Sequence, residues 1–358
     1  MPAPDLLAAT ADLVSIPSVS HAEGPLVDHL EGRLGRRLHL AVERIGLNLV
    51  ARTHLDRSMR VILAGHTDTV PVNGNADARI DGDVLWGLGS ADMKGGLAVM
   101  LALAEEVADP AVDVTYVFYA GEEVTAEHNG LAHLVRDRPD LLAGDLAILG
   151  EPTGGELEAG CQGTLKMEIS LGGQRAHTAR PWMGRNAIHR LGALLRLVEG
   201  FEERRPVIQG CEYREALQAV VVSGGVAGNV VPDLATVTLN RRFAPDRTEA
   251  EAADEVRSLL APALEAGDEV TIVDSAPAAA PGLDNPILRA LIDRHDLAVT
   301  AKLGWTDVAR FAALGVPACN LGPGDATLAH TADERVDRAS LERAYAVLHA
   351  VLTTPPAE

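Results

Sequence analysis

Two adjacent carboxylates, Glu122 and Glu123, close the run VTYVFYAG in VTYVFYAGEEV (114–124). The run is β-branched and aromatic, so it reads as a buried strand. Like charges side by side at the mouth of a buried strand are costly. The pair therefore calls for a cation, or for one protonated glutamate. Other predicted strands end in similar groups. RVILAG runs into His66-Thr67-Asp68, DLAILG ends at Glu151, and the loop after VPACNLG carries His330. LWGLGSADMKGG places Asp92 at the start of a predicted helix. In an open α/β sheet, sites form beyond the carboxyl ends of strands. Five segments thus deliver His66, Asp92, Glu123, Glu151 and His330 to one edge. Singly each is weak, because a Glu-Glu pair after a strand is usually solvated. His128, His133 and His189 sit on predicted helices without matching partners.

Imidazoles and carboxylates without thiolates suit zinc. Charge balance points to two ions. Asp92, Glu123 and Glu151 supply three negative charges, and a bridging hydroxide supplies the fourth. Asp92, on a glycine-rich loop, suits a carboxylate that bridges both metals. Successive side chains at a strand end diverge. Glu123 is therefore assigned as ligand and Glu122 as the general base that takes a proton from the metal-bridging water. Asp68, two residues after His66, is expected to accept the imidazole N–H and fix its tautomer.

These groups need a frame. Up to about residue 153, strands and helices alternate, which implies βαβ units and parallel strands. One helix is expected over 92–108. Beyond Thr153-Gly154-Gly155 the pattern changes. TLKMEISLGG alternates with period two, as a half-exposed antiparallel strand does. Further strands at LQAVVVSGG, LATVTLNRRF and DEVTIVD flank two helices. The expected fold is α/β: a mostly parallel sheet flanked by helices, formed by residues 1–162 and 275–358, with an inserted α+β domain at 163–274. SAPAAAPGLDNP (275–286) marks the return.

At 358 residues the chain exceeds the usual span of one core, which agrees with two domains. A net charge of −20 argues against nucleic acid or an anionic membrane as partner. Cys161, Cys211 and Cys319 are odd in number and form no CxxC pair, so a reducing cytoplasm is expected. The N-terminal stretch lacks the basic and apolar regions of a signal peptide. No run reaches the ~20 apolar residues of a membrane span.

HTDTVP, GSADMKGG, GEE, GEPT and the late histidine in LAH resemble, in order, the M20 family of di-zinc amidohydrolases and exopeptidases. The resemblance runs from Ile16-Pro17-Ser18 to about His330. It implies a zinc-exopeptidase-like catalytic domain, an inserted lid or dimerisation domain, and two zinc ions, with cobalt able to substitute. It also implies a homodimer in which His177 of RAHTARPW reaches the partner's site and helps hold the oxyanion. Asn229 in GNVVPD and Arg242 in NRRF match positions that hold a substrate carboxylate, with Arg175 and Arg180 as weaker candidates. Gly304 and Trp305 in LGWTD match a substrate-facing loop. CQGTL, RRFAPDR and KLGWTDVARF resemble the family's desuccinylase branch, which implies cleavage of N-succinyl-LL-2,6-diaminopimelate. One departure is Cys161-Gln162, where the better-known form of that branch has two arginines. The rivals are an acetylornithine deacetylase or another N-acyl-amino-acid hydrolase of the family, and a metal-free binding or scaffold protein on the same fold.

Overall fold

The computed structural model describes residues 4–355. In chain order the main strands are β1 (Ala41–Ile45), β2 (Asn48–Arg52), β3 (Arg60–His66), β4 (Asp113–Tyr119), β5 (Leu146–Leu149), β6 (Leu157–Ala159), β7 (Gly163–Gly172), β8 (Ala216–Gly224), β9 (Leu234–Phe243), β10 (Glu269–Ala276), β11 (Val299–Ala301) and β12 (Ala318–Asn320). Three helices matter most: α1 (Gly95–Glu106), α2 (Ala187–Glu199) and α3 (Glu249–Leu260).

The chain packs as two units, Met1–Gly160 with Pro281–Thr300 and Arg310–Glu358, and Cys161–Ala280 with Ala301–Ala309. The segment Ala301–Ala309 falls in the second unit, not the first where the sequence division put it. Backbone and side-chain bonds tie it there: Gln162 N–H to the Lys302 carbonyl at 3.1 Å and the Trp305 indole N–H to the Pro277 carbonyl at 3.1 Å.

The first unit is built on an eight-stranded sheet in the order β1-β2-β4-β3-β5-β12-β6-β11. Its centre, β4-β3-β5-β12, is parallel, while β1, β2 and β6 run antiparallel to their neighbours. Every residue of β4 is buried, as expected for a strand covered on both faces. Helix α1 is buried from Gly95 to Ala104 on all sides, because it lies against β3 and the helices Leu6–Val14 and Arg338–Thr353. It begins at Gly95, three residues later than the sequence suggested. Asp92 and Met93 have non-helical angles (φ −119°, ψ 94° and φ −132°, ψ 37°). The N–H groups of Gly89, Ala91 and Asp92 go to a distant carboxylate, not to a helical ladder.

The second unit is an antiparallel sheet, β8-β9-β7-β10. Leu165, Met167, Ile169 and Leu171 alternate inward on β7 and meet Leu191 and Leu194 of α2 and Val256 of α3. Thr248 and Glu251 form a capping box that fixes the start of α3. Arg241 is also on the core face. It is held by Glu215 at 2.5 Å and Glu255 at 2.6 Å, and stacks 4.8 Å from the Phe201 ring. Burial alone would raise the Glu215 carboxyl, but Arg204, Arg241 and the Ala244 N–H hold it down at about 2. The folded value lies below the unfolded one, so this stabilisation is complete above about pH 4.5 and fades as pH falls towards 2. E215Q is expected to cost about 3–5 kcal/mol at pH 7, since it leaves Arg241 buried with half its partners. The difference in melting temperature between E215Q and the native protein should shrink steadily below pH 4.5.

Candidate metal centre

In the first unit, strand ends and one loop place the donors. β3 ends at His66, which is 1% exposed. β4 ends at Tyr119, and the chain then turns at Gly121 with φ +70°. A Cβ at Gly121 would lie 2.4 Å from the His128 carbonyl oxygen, so only glycine fits this turn. The turn brings the Glu122 N–H to Asp68 Oδ1 and the Glu123 N–H to Asp68 Oδ2, both at 3.0 Å. β5 leads through Gly150 to Glu151. A Cβ on Gly96 would stand 2.2 Å from the Gly150 carbonyl oxygen, so α1 approaches the strand end at backbone distance.

Three sets of side chains converge, with donor atoms in each set within 4.8 Å of one another: His66, Asp92 and Glu151; Asp92, Glu123 and His330; His66, Glu122 and Glu123. Asp92 joins the first two. Its Oδ1 lies 3.0 Å from His66 Nε2, and its Oδ2 lies 3.5 Å from His330 Nε2. His330 Nε2 is 2.8 Å from Glu123 Oε1. One carboxylate thus turns an oxygen to each of two imidazoles, the arrangement of a bridging ligand.

The donor spacing is that of a small divalent metal site. Ligands about 2.0–2.1 Å from a tetrahedral ion lie about 3.3 Å from one another, and the separations above bracket that value. The electrostatics tie the two histidines closely to the carboxylates. The hydrogen bond to Asp92 and the charge of Glu123 push His330 up to about 9. Burial opposes the charged form of His66, yet Asp68 and Asp92 still pull it well above the usual histidine range. Burial, with Asp92 nearby, raises the Glu123 carboxyl against the pull of the two histidines. So many anionic groups in a poorly solvated place demand positive charge, and divalent cations supply it most directly.

Asp68 differs in detail from the sequence reading. His66 Nδ1 is 3.0 Å from the Asp68 backbone carbonyl and 3.5 Å from its carboxylate, so the carbonyl is the nearer acceptor. The carboxylate is occupied by the Glu122 and Glu123 N–H groups and by the Ser20 hydroxyl at 2.8 Å. Burial would raise Asp68, but His66 and these N–H donors hold it at about 2. Its main local effect is to set the backbone of the two glutamates.

Two buried residues near the centre carry no sequence signal of their role. Glu334 accepts the N–H groups of Gly89, Ala91 and Asp92 at 3.0–3.1 Å. Lys94 is 2% exposed and donates to the Ile16 carbonyl at 2.8 Å; burial lowers its amine to about 8 against the pull of Glu334.

The remaining sequence-predicted residues all belong to the second unit. His177 is exposed, and its Nδ1 accepts the Ala179 N–H at 3.0 Å, which leaves Nε2 to carry a proton and donate. Exposed Asn229 lies beside it: the Asn229 carbonyl accepts the Thr178 N–H at 3.0 Å. Arg175 pairs with Asp233 at 2.7 Å, and Arg180 is exposed. Arg242 is half-buried on the face of β9 opposite the core and has no ion-pair partner among the described residues. Gly304 is exposed and Trp305 half-buried. Cys161 and Gln162 are buried, with the Gln162 amide donating to the Arg214 carbonyl at 2.8 Å, so they offer no free anion anchor.

Residues 62–354 match Peptidase family M20/M25/M40. This chain belongs to that family. Among M20 relatives, it is 50% identical to "Putative succinyl-diaminopimelate desuccinylase DapE" of Mycobacterium tuberculosis (strain ATCC 25618 / H37Rv), over 97% of this chain and 98% of that protein. It is 42% identical to the succinyl-diaminopimelate desuccinylase of Corynebacterium glutamicum, over 98% of this chain and 96% of that one. In fold it is similar to a tripeptidase from Staphylococcus aureus subsp. aureus Mu50, with a TM-score of 0.79, 21% identity and 97% of each chain covered. It is also similar to an M20 family metallo-carboxypeptidase from Sulfolobus solfataricus, with a TM-score of 0.74, 16% identity and 97% and 98% covered. Among the described residues, no helix of this M20 chain is long and apolar enough to cross a membrane.

Proposed function

We propose that this chain is a dinuclear zinc amide hydrolase that converts N-succinyl-LL-2,6-diaminopimelate and water to succinate and LL-2,6-diaminopimelate in the cytoplasm. The observation that carries the chemistry is Asp92, whose two oxygens face His66 and His330. The substrate rests on the names of two relatives that match nearly the whole chain. His66, Asp92 and Glu151 would hold one ion, and Asp92, Glu123 and His330 the other, with cobalt able to replace zinc. Bound zinc supplies Lewis acidity at the succinyl carbonyl and lowers the pKa of water. Glu122 removes the proton from the attacking water and returns it to the leaving nitrogen as the C–N bond breaks. Asp68 keeps Glu122 and Glu123 aimed apart through their backbone N–H groups. His177 Nε2–H donates to the oxyanion in the site of a partner protomer, an interaction often worth about 3 kcal/mol. Arg242 and Asn229, with the loop at Gly304 and Trp305, receive the substrate's carboxylates.

The test compares purified, zinc-loaded protein on N-succinyl-LL-2,6-diaminopimelate and on N-acetylornithine, with and without chelator. Rapid, chelator-sensitive hydrolysis of the first only is expected. Preference for acetylornithine would overturn the substrate. Less than about one zinc per chain with neither substrate cleaved would favour a metal-free scaffold.

Arg242 brings an uncommitted guanidinium suited to bidentate binding of a carboxylate. Arg242→Ala is expected to raise KM about 10–100-fold, in line with a charge-assisted hydrogen bond of about 1.5–3 kcal/mol. Steady-state kinetics would check this, with kcat changing far less than KM.

The dimer is supported by β8, an edge strand whose Val220, Val221 and Val222 are 54%, 58% and 55% exposed. An apolar open edge of this kind favours pairing with a second copy. Val221→Asp is expected to yield monomers in analytical ultracentrifugation and to lose most activity while zinc content is unchanged. Full activity in a monomer would remove His177 from the mechanism.

A further inference from the structure

The loop that carries Asp92 is held only in part by its own backbone, through Ser90 N–H to the Gly87 carbonyl at 3.1 Å and Lys94 N–H to the Gly89 carbonyl at 2.7 Å. Gly89 turns at φ +76°, and Asp92 and Met93 are non-helical. Residues Gly87 to Ala91 are buried, so their N–H groups need acceptors within the protein. Two of those needs, and that of the adjoining Asp92 N–H, are met by one side chain. Glu334 is 1% exposed. Its Oε1 accepts from Ala91 at 3.1 Å and from Asp92 at 3.0 Å, and its Oε2 accepts from Gly89 at 3.0 Å. Its own carbonyl accepts the Gly87 N–H at 3.1 Å. The register is pinned on both sides, because Arg335–Asp337 pairs with Val84–Trp86, immediately before that loop.

We propose that Glu334 is a positioning residue: its carboxylate locks the Asp92 backbone so that both Asp92 oxygens stay aimed at two metal sites. This rests on the dinuclear reading above. The same short segment, 330–334, presents His330 to Asp92 Oδ2 and Glu334 to the Asp92 N–H. One stretch of chain therefore sets a ligand and the orientation of the bridge. A bridging carboxylate tolerates little rotation, because turning towards one ion turns it from the other. Groups that orient ligands typically change metal affinity about 10–100-fold when removed.

The geometry makes glutamine a demanding probe. Three donors need both oxygens, and Glu334→Gln would turn an NH₂ towards either Gly89 N–H or the Ala91 and Asp92 N–H groups. Glu334→Asp keeps the charge but is one methylene short. Zinc affinity of the full-length protein is measured by competition with a chromophoric chelator, beside the melting temperature of the metal-free protein and the KM and kcat of the loaded one. E334Q is expected to bind zinc about 10–100-fold more weakly, with E334D between it and the native protein. KM should stay within about threefold, and kcat should fall. If E334Q does not accumulate as folded protein, E334D decides. Zinc affinity within threefold of native, with only the melting temperature lowered, would show that Glu334 merely holds the loop. Such a result with a native protein that binds two zinc ions and hydrolyses its substrate overturns this inference alone. A native protein that binds no zinc overturns the dinuclear reading and this inference together.

Discussion

E122Q is expected to lower kcat by about 10²–10⁴-fold, the usual worth of a positioned general base, and to leave two zinc ions bound. Glutamine has nearly the shape of glutamate but cannot take a proton at neutral pH. The backbone contact that places this residue, Glu122 N–H to Asp68 Oδ1 at 3.0 Å, does not involve the side chain and survives the change. Steady-state kinetics with metal content measured on the same sample separates two roles that the geometry leaves side by side. Glu122 also lies in a set with His66 and Glu123 whose donor atoms are within 4.8 Å. If E122Q lost a zinc ion, Glu122 would be a ligand. If it kept a tenth or more of the native kcat, some other group would be the base. Retained metal with lost turnover is the outcome that the divergence of adjacent strand-end side chains requires.

The elements were legible because they follow period and punctuation. The apolar run before Glu122 is a strand buried on both faces, and the alternation in TLKMEISLGG is a strand buried on one. The donors were legible because each closes its own segment, so a strand assignment also assigns an edge. What stayed hidden depends on partners far away in the chain. Asp92 reads as a helix start since DMKGG runs into a helical pattern, yet its N–H goes to a carboxylate 242 residues on. Nothing local marks Glu334, because a glutamate in a polar loop reads as solvated. Asp68 is two residues from His66, which suggests a side-chain bond between them. Its carboxylate also reaches the Glu122 and Glu123 N–H groups, more than fifty residues away, which no local spacing announces. The run Val220–Val222 signals a strand but not that the strand lies at an open edge. In each case the local pattern gives the element, and a buried hydrogen bond or a missing neighbour gives the role.

The sharpest consequence of that geometry concerns the number of ions lost per substitution. Asp92 alone belongs to both the set with His66 and Glu151 and the set with Glu123 and His330. Asp92→Ala should therefore abolish tight binding of both zinc ions and bring hydrolysis below detection, whereas His330→Ala should cost one ion and keep the other. Truncating a ligand also removes the counter-charge that makes its neighbours tolerable. In D92A, His66 loses its 3.0 Å partner and His330 loses the hydrogen bond that does most to raise its pKa. The imidazole of H330A is replaced without touching the His66 side, where Asp92 Oδ1 and Glu151 remain. Zinc titration of the two variants, with stoichiometry from metal analysis, should read fewer than one ion for D92A and about one for H330A. Equal stoichiometry in both would mean that the two sets are not separate sites joined by one carboxylate, and the bridging arrangement would have to be abandoned. A difference of one ion between two single substitutions is not something a general loss of stability produces, since that would empty both sites in either variant.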